Sequence, residues 1–139
     1  MNKATKTPQL RPKSIRLKTA RGRKKSSSAW LSRQLNDPFC QQAKSEGYVA
    51  RSAYKLSAIE EKFKLLAKAQ AIIDLGAAPG GWLQVILKAQ KAAKKIAAID
   101  LLPLKINHPQ IDFFQGDFND PQLKQQITDA YQARFDLIL

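Results

Sequence analysis

Four short apolar runs punctuate the later part of the chain: "AIIDL" from Ala71, "KIAAID" from Lys95, "IDFFQGD" from Ile111 and "RFDLIL" from Arg134. Short runs rich in β-branched and aromatic residues, bounded by glycine, proline and aspartate, predict strands. The intervening "WLQVILKAQKAAKK" and "DPQLKQQITDAYQ" have helical composition, and the second opens with Asp-Pro, an N-cap followed by proline at the first helical position. The order strand, helix, strand, strand-like run, helix, strand predicts an α/β fold with a parallel sheet. "FDLIL" carries the continuous apolar pattern of a strand covered on both faces.

Upstream, "WLSRQLNDPFCQQAKSEGYVARSAYKLSAIEEKFKLL" reads as helical pieces. Asp37 before Pro38 predicts a helix start, and Gly47 a C-cap. Leu56, Ile59, Phe63 and Leu66 follow the spacing of one apolar helix stripe, which predicts a helix with a single face to bury. Before Trp30 the pattern fails: scattered prolines, few large apolar residues and many like charges predict a basic, flexible arm over 1–29, leaving 30–139 as the folded part.

Charge sharpens this division. Residues 1–36 hold eleven Lys or Arg and no acid, while 37–139 hold thirteen against eleven acids, so the net +13 divides as +11 and +2. Such an arm suits a polyanion, RNA foremost, with Arg21, Arg23, Lys24 and Lys25 as candidate contacts; a merely solubilising tail is the competing reading. At 139 residues the chain allows one domain plus appendages. It holds no apolar run of membrane-spanning length and no secretory signal, so a cytosolic protein without a membrane partner is expected. One cysteine, Cys40, and one histidine, His108, offer no zinc-type cluster, so no metal is expected. Cys40 reads as a small, buried or half-buried helical thiol and His108 as a loop residue.

The chemistry centres on "GAAPGGW", which follows the first strand. Small residues in a strand-to-helix turn let the backbone approach a ligand, at the strand ends where open α/β sheets bind nucleotides. The phosphate-cradling alternatives fail: no Gly-Lys-Ser/Thr is present, and Gly76, Gly80 and Gly81 do not have the spacing of the dinucleotide fingerprint. A ligand without phosphate, an adenosine bearing an amino acid, fits better. Asp100 is positioned to accept from ribose hydroxyls and Asp117 from an adenine amino group, with Leu101 and Leu102 against the ring; Asp74 could orient the loop or face an ammonium. Any single one of these acids could equally be a loop cap.

Together "DLGAAPGGW", "AIDLLP" and "QGDF" resemble the FtsJ-like methyltransferases, in particular their bacterial members that methylate a uridine 2′-hydroxyl of large-subunit ribosomal RNA. The likeness extends upstream through "RSAYKL" and covers roughly 24–139. It implies a Rossmann-like methyltransferase fold, S-adenosyl-L-methionine held by Gly76, Gly80, Gly81, Trp82, Asp100 and Asp117, and ribosomal RNA or the large ribosomal subunit as partner. It also implies a catalytic role for Lys55, which otherwise reads as an ordinary solvated lysine. Arg51, four residues earlier, shares a face with Lys55 if the helix extends that far, and could hold an RNA phosphate. The family's remaining catalytic aspartate, lysine and glutamate lie beyond the strand matching "RFDLIL". The expectation is therefore a domain truncated after about its fourth strand, dependent on a missing C-terminal half. The alternative is a noncatalytic RNA-binding or cofactor-binding remnant.

Overall fold

The computed structural model describes residues 14–18, 22, 24–89, 95–132 and 134–139. Arg21 and Arg23 lie outside the described residues. The chain divides into two compact units, Met1–Gln41 and Gln42–Leu139.

In the first unit, helix α1 spans Lys25–Leu35 and buries none of its residues. It therefore begins inside the span expected to be a flexible arm. A second piece of that span is also tied down: the Asn36 side chain accepts from the Ile15 amide at 2.7 Å and donates to the Ile15 carbonyl at 3.1 Å. An asparagine amide carries the same donor and acceptor pair as a peptide group, so it can pair with a single residue as a neighbouring strand would. Helix α2, Pro38–Ser45, starts as its Asp-Pro signal requires, with Asp37 Oδ1 accepting from the Phe39 and Cys40 amides at 2.8 and 3.3 Å. Cys40 is half-buried, as expected.

The second unit takes in the end of α2, which closes as a Schellman motif: Gly47 adopts φ +79°, its amide donates to Lys44 and that of Tyr48 to Ala43. Next comes α3, Ala53–Phe63, where the predicted stripe fails. Leu56 is buried, but Ile59 and Phe63 are 37% and 54% exposed. The helix stops at Lys64, which is left-handed at φ +53°, and a short α4, Leu65–Lys68, sets off in a new direction with Glu60 capping the Leu66 amide at 2.7 Å. Leu66 thus reaches the core from α4, and the buried face of α3 is Ala53 and Leu56.

All four predicted strands form: β1 Ala71–Leu75, β2 Lys95–Asp100, β3 Ile111–Gln115 and β4 Leu137–Ile138, parallel throughout in the order β3-β2-β1-β4. Alternation along the strands builds two cores. Ile72, Ile96 and Ala98 meet α3, α4 and α5 (Gly81–Ala89) on one face. Ile73, Ala97 and Ile99 meet Leu123, Ile127 and Tyr131 of α6 (Pro121–Tyr131) on the other. Helices on both faces explain why β1 and β2 read as unbroken apolar runs. Asp120 caps α6 from its side chain to the Gln122 amide at 2.9 Å, again from an Asp-Pro start. β4 departs from expectation: Leu137 and Leu139 pack on the α5 side, whereas Ile138 is 65% exposed beside Ile73, Ile127 and Phe135.

Candidate functional site

The strand order reverses at β1: the chain steps outward to β2 and β3, then returns to place β4 on the opposite side. In an open α/β sheet the crevice lies at the carboxyl ends of the strands at that reversal. Here that position is the turn between β1 and α5, and a cleft of about 220 Å³ opens on it, lined by Asp74, Gly76, Ala77, Ala78, Gly81, Trp82 and Ser52.

Backbone bonds shape the turn. The Gly76 and Ala77 amides both donate to the Ile99 carbonyl, at 2.9 and 3.0 Å. Gly76 sits at φ +81°, and a Cβ built there would meet nothing within 4 Å, so the cleft is open at its backbone. Gly80 is constrained in the opposite way: at φ +112° it is buried, and a Cβ would come within 2.8 Å of Ile106 Cγ1. A Cβ on Gly81 would come within 3.1 Å of Ala50 Cβ and 3.2 Å of Ser52 Oγ. The three glycines therefore differ in what demands them. Gly76 serves an open approach, Gly80 a tight junction with the loop after β2, and Gly81 close packing against the segment before α3.

Asp100 ends β2 and is tied into the turn. Its Oδ2 accepts from the Ala78 amide at 2.9 Å and its Oδ1 from the Leu102 amide at 2.8 Å. A carboxylate has about four acceptor positions, so two remain for a ligand. Leu101 and Leu102 beside it are 67% and 66% exposed. Asp117, past the end of β3, is exposed, and its Oδ1 accepts from the Asn119 amide and side chain at 2.8 and 3.1 Å. Neither Asp100 nor Asp117 lines the cleft itself.

Asp74 does. It is 2% exposed, the one buried charged side chain among the described residues, and its Oδ2 has no hydrogen-bond partner among them. Burial first, and the nearby Asp100 charge second, push its carboxyl up to about 6. A buried acceptor without a donor is destabilising by about 1–3 kcal/mol, and this one belongs to a residue that lines the cleft.

Trp82 lines the cleft, and its indole nitrogen donates to the Ser52 carbonyl at 2.9 Å. Gln84, two residues on, donates to the Gly47 carbonyl and accepts from the Val49 amide, both at 2.8 Å. These two side chains bind the segment Gly47–Ser52 to α5. Lys55 follows three residues after Ser52, exposed on the first turn of α3. Arg51 is exposed in the turn ahead of α3, so it and Lys55 do not share a helix face as the sequence allowed. His108 is a loop residue whose Nδ1 accepts from the Gln110 amide at 3.2 Å. Sequence reasoning overlooked Ser52 and Gln84. The signal for Gln84 was present, a lone polar residue inside the otherwise apolar "GWLQVIL".

A doubly wound parallel sheet, a glycine turn at its reversal and carboxylates at successive strand ends define a Rossmann-like methyltransferase fold. Residues 48–139 match the FtsJ-like methyltransferase family, and the chain belongs to it. A Ribosomal RNA large subunit methyltransferase E of Zymomonas mobilis is 47% identical over 127 residues, which is 89% of this chain and 55% of that protein. One of Azorhizobium caulinodans is 42% identical over 142 residues, 100% of this chain and 59% of that protein. The chain thus spans a little over half the length of these relatives. A crystal structure of a Plasmodium falciparum protein described as a ribosomal RNA methyltransferase superposes with a TM-score of 0.59 at 31% identity, over 66% of this chain and 54% of that one.

Proposed function

We propose that this chain binds S-adenosyl-L-methionine in the cleft between β1 and α5, as the cofactor-holding part of an enzyme that methylates a uridine 2′-hydroxyl in large-subunit ribosomal RNA. The observation that carries the reading is Asp74 Oδ2, a buried acceptor without a partner among the described residues, at the floor of a cleft whose backbone is open at Gly76. A ligand with a cationic amino-acid end answers that acceptor, and the lack of phosphate-type donors in the turn agrees with it. The named relatives support the RNA substrate.

When bound, S-adenosyl-L-methionine supplies a methyl group on a positively charged sulfur. The chain's own residues then have separable tasks. Asp74 receives the ammonium. Asp100 uses its two remaining acceptor positions for the ribose hydroxyls while holding Ala78 and Leu102 in place. Leu101 and Leu102 offer apolar surface to the adenine ring, and Asp117 an acceptor for its amino group. Lys55 steers the 2′-hydroxyl that must lie in line with the methyl group. Arg51, Lys24 and Lys25, with Arg21 and Arg23, hold RNA phosphates.

Isothermal calorimetry with S-adenosyl-L-methionine on the wild-type chain and on Asp100→Ala tests the cofactor reading. Saturable binding that weakens by about tenfold or more in the variant is expected for the loss of charge-assisted hydrogen bonds. Absence of binding by the wild type, or equal affinities, would overturn it.

A further inference from the structure

The first unit contains a surface that the cofactor site does not use. Helix α1 buries no residue, and Trp30 in its middle is 53% exposed. Three consecutive serines near its start and no side-chain cap give α1 little stability of its own. An indole exposed on such a helix offers a flat aromatic face to a ligand. Arg33 is three residues on and so shares the face of Trp30, with Ser26 and Ser27 on the same side.

Charge selects the partner. Among the described residues of this unit the cations are Arg16, Lys18, Lys24, Lys25 and Arg33, and the sole acid, Asp37, is committed to capping α2. The Asn36 side chain adds an element that composition does not disclose: by pairing with both backbone groups of Ile15 it pins the segment bearing Arg16 and Lys18 at the C-terminal end of α1. Arg33 therefore lies on the indole's own helix face, and Arg16 and Lys18 are held at the end of the same helix. A flat aromatic face flanked by cations is the arrangement that takes unpaired bases, with the ring under a base and the cations on flanking phosphates.

We propose that the Trp30 face of α1, with Arg33 and the pinned Arg16–Lys18 segment, is a docking site for single-stranded or looped RNA in which the indole stacks on an unpaired base. The inference rests on the RNA-substrate reading above and adds where, and by what contact, an unpaired nucleotide is held.

The test is binding of a fluorescent RNA hairpin with an unpaired loop, and of a blunt duplex of equal length, to the full 139-residue chain over a salt series. Trp30→Ala is expected to weaken hairpin binding by about 5- to 150-fold, the range for losing one stacked base, with the salt slope unchanged because stacking releases no counterions. Trp30→Phe, which keeps a ring, should restore most of the affinity. Arg33→Gln should instead lower the log-log salt slope by roughly 0.7. Asn36→Ala should also flatten the slope by freeing the segment, an effect Trp30→Ala cannot produce. If the wild type binds hairpin and Trp30→Ala binds it equally well, or if the duplex is preferred, the docking site is overturned while the RNA reading stands. If the wild type binds neither RNA but Trp30-dependently binds anionic phosphatidylserine vesicles, both are overturned.

Discussion

Asp74→Asn is expected to stabilise the ligand-free protein while weakening it as a receptor for a cationic ligand. Asp74 is 2% exposed, and its carboxyl is raised from 3.8 to about 6, chiefly by burial and then by the Asp100 charge. A shift of about 2 units corresponds to about 3 kcal/mol held against the folded state at neutral pH, at about 1.4 kcal/mol per unit. An asparagine has nearly the same shape and no charge. Its own unmatched amide costs about 1 kcal/mol, which leaves a net gain of about 2 kcal/mol.

The sign fixes the pH window. Because the folded-state value is raised, the stabilisation from protonating Asp74 is fully present below its ordinary value of 3.8 and is lost as pH rises through about 6. Between pH 7.5 and 4.5 the wild type should therefore gain about 2 kcal/mol relative to Asp74→Asn. Urea denaturation of both proteins across that range, read as a difference so that the other carboxylates cancel, measures it directly. Parallel stability curves would refute the reasoning, since they would mean that Asp74 titrates alike folded and unfolded. With ligand the order inverts: an ammonium beside Asp74 favours the ionised form, so wild-type affinity should fall as pH drops through about 6 and that of Asp74→Asn should stay level.

Other positions give independent checks. Gly80→Ala introduces a Cβ within 2.8 Å of Ile106 Cγ1 at a φ of +112°, and should cost about 2–4 kcal/mol in urea denaturation. Adding Ile106→Ala should relieve only the steric part, so the double variant should fall short of additivity. Gln84→Ala should raise amide exchange at Val49, whose partner it removes, while exchange within β2 stays unchanged. Asp120→Ala should cost about 1 kcal/mol as a lost helix cap, with ligand affinity unaltered.

The parts of this fold legible in the sequence are those decided locally. Asp37-Pro38 and Asp120-Pro121 start helices because the cap and the proline act within one turn, and both do so here. The strands were legible because helices cover β1 and β2 on both faces, leaving Ile72, Ile73 and Ile96–Ile99 as continuous apolar runs. The stripe from Leu56 to Leu66 misled because periodicity does not register a left-handed residue: Lys64 turns the chain and leaves Ile59 and Phe63 outside. Nor does charge density disclose the pairing of Ile15 with Asn36, since one asparagine supplies it from 21 residues away. In the site, the glycines were legible as a group but not individually, because the sequence cannot say that Gly76 faces open space while Gly80 faces Ile106.

Asp100 is where sequence and structure suggest different tasks, and the two can be separated. Its place at a strand end suggests a ribose acceptor, yet both its oxygens accept backbone amides, from Ala78 and Leu102. Loss of affinity in Asp100→Ala could then come from a lost ligand contact or from a collapsed turn. A double-mutant cycle distinguishes them, pairing Asp100→Ala with a ligand whose ribose lacks one hydroxyl. If Asp100 touches the hydroxyl, removing that group weakens binding to the wild type by about 5- to 10-fold, the worth of one hydrogen bond, and does nothing further to the variant. If Asp100 acts only by holding Ala78 and Leu102, the two losses multiply. The turn makes the first outcome the expected one: the amides occupy one position on each oxygen, and the carboxylate already anchored by them is the acceptor whose ordering costs least when a ligand arrives.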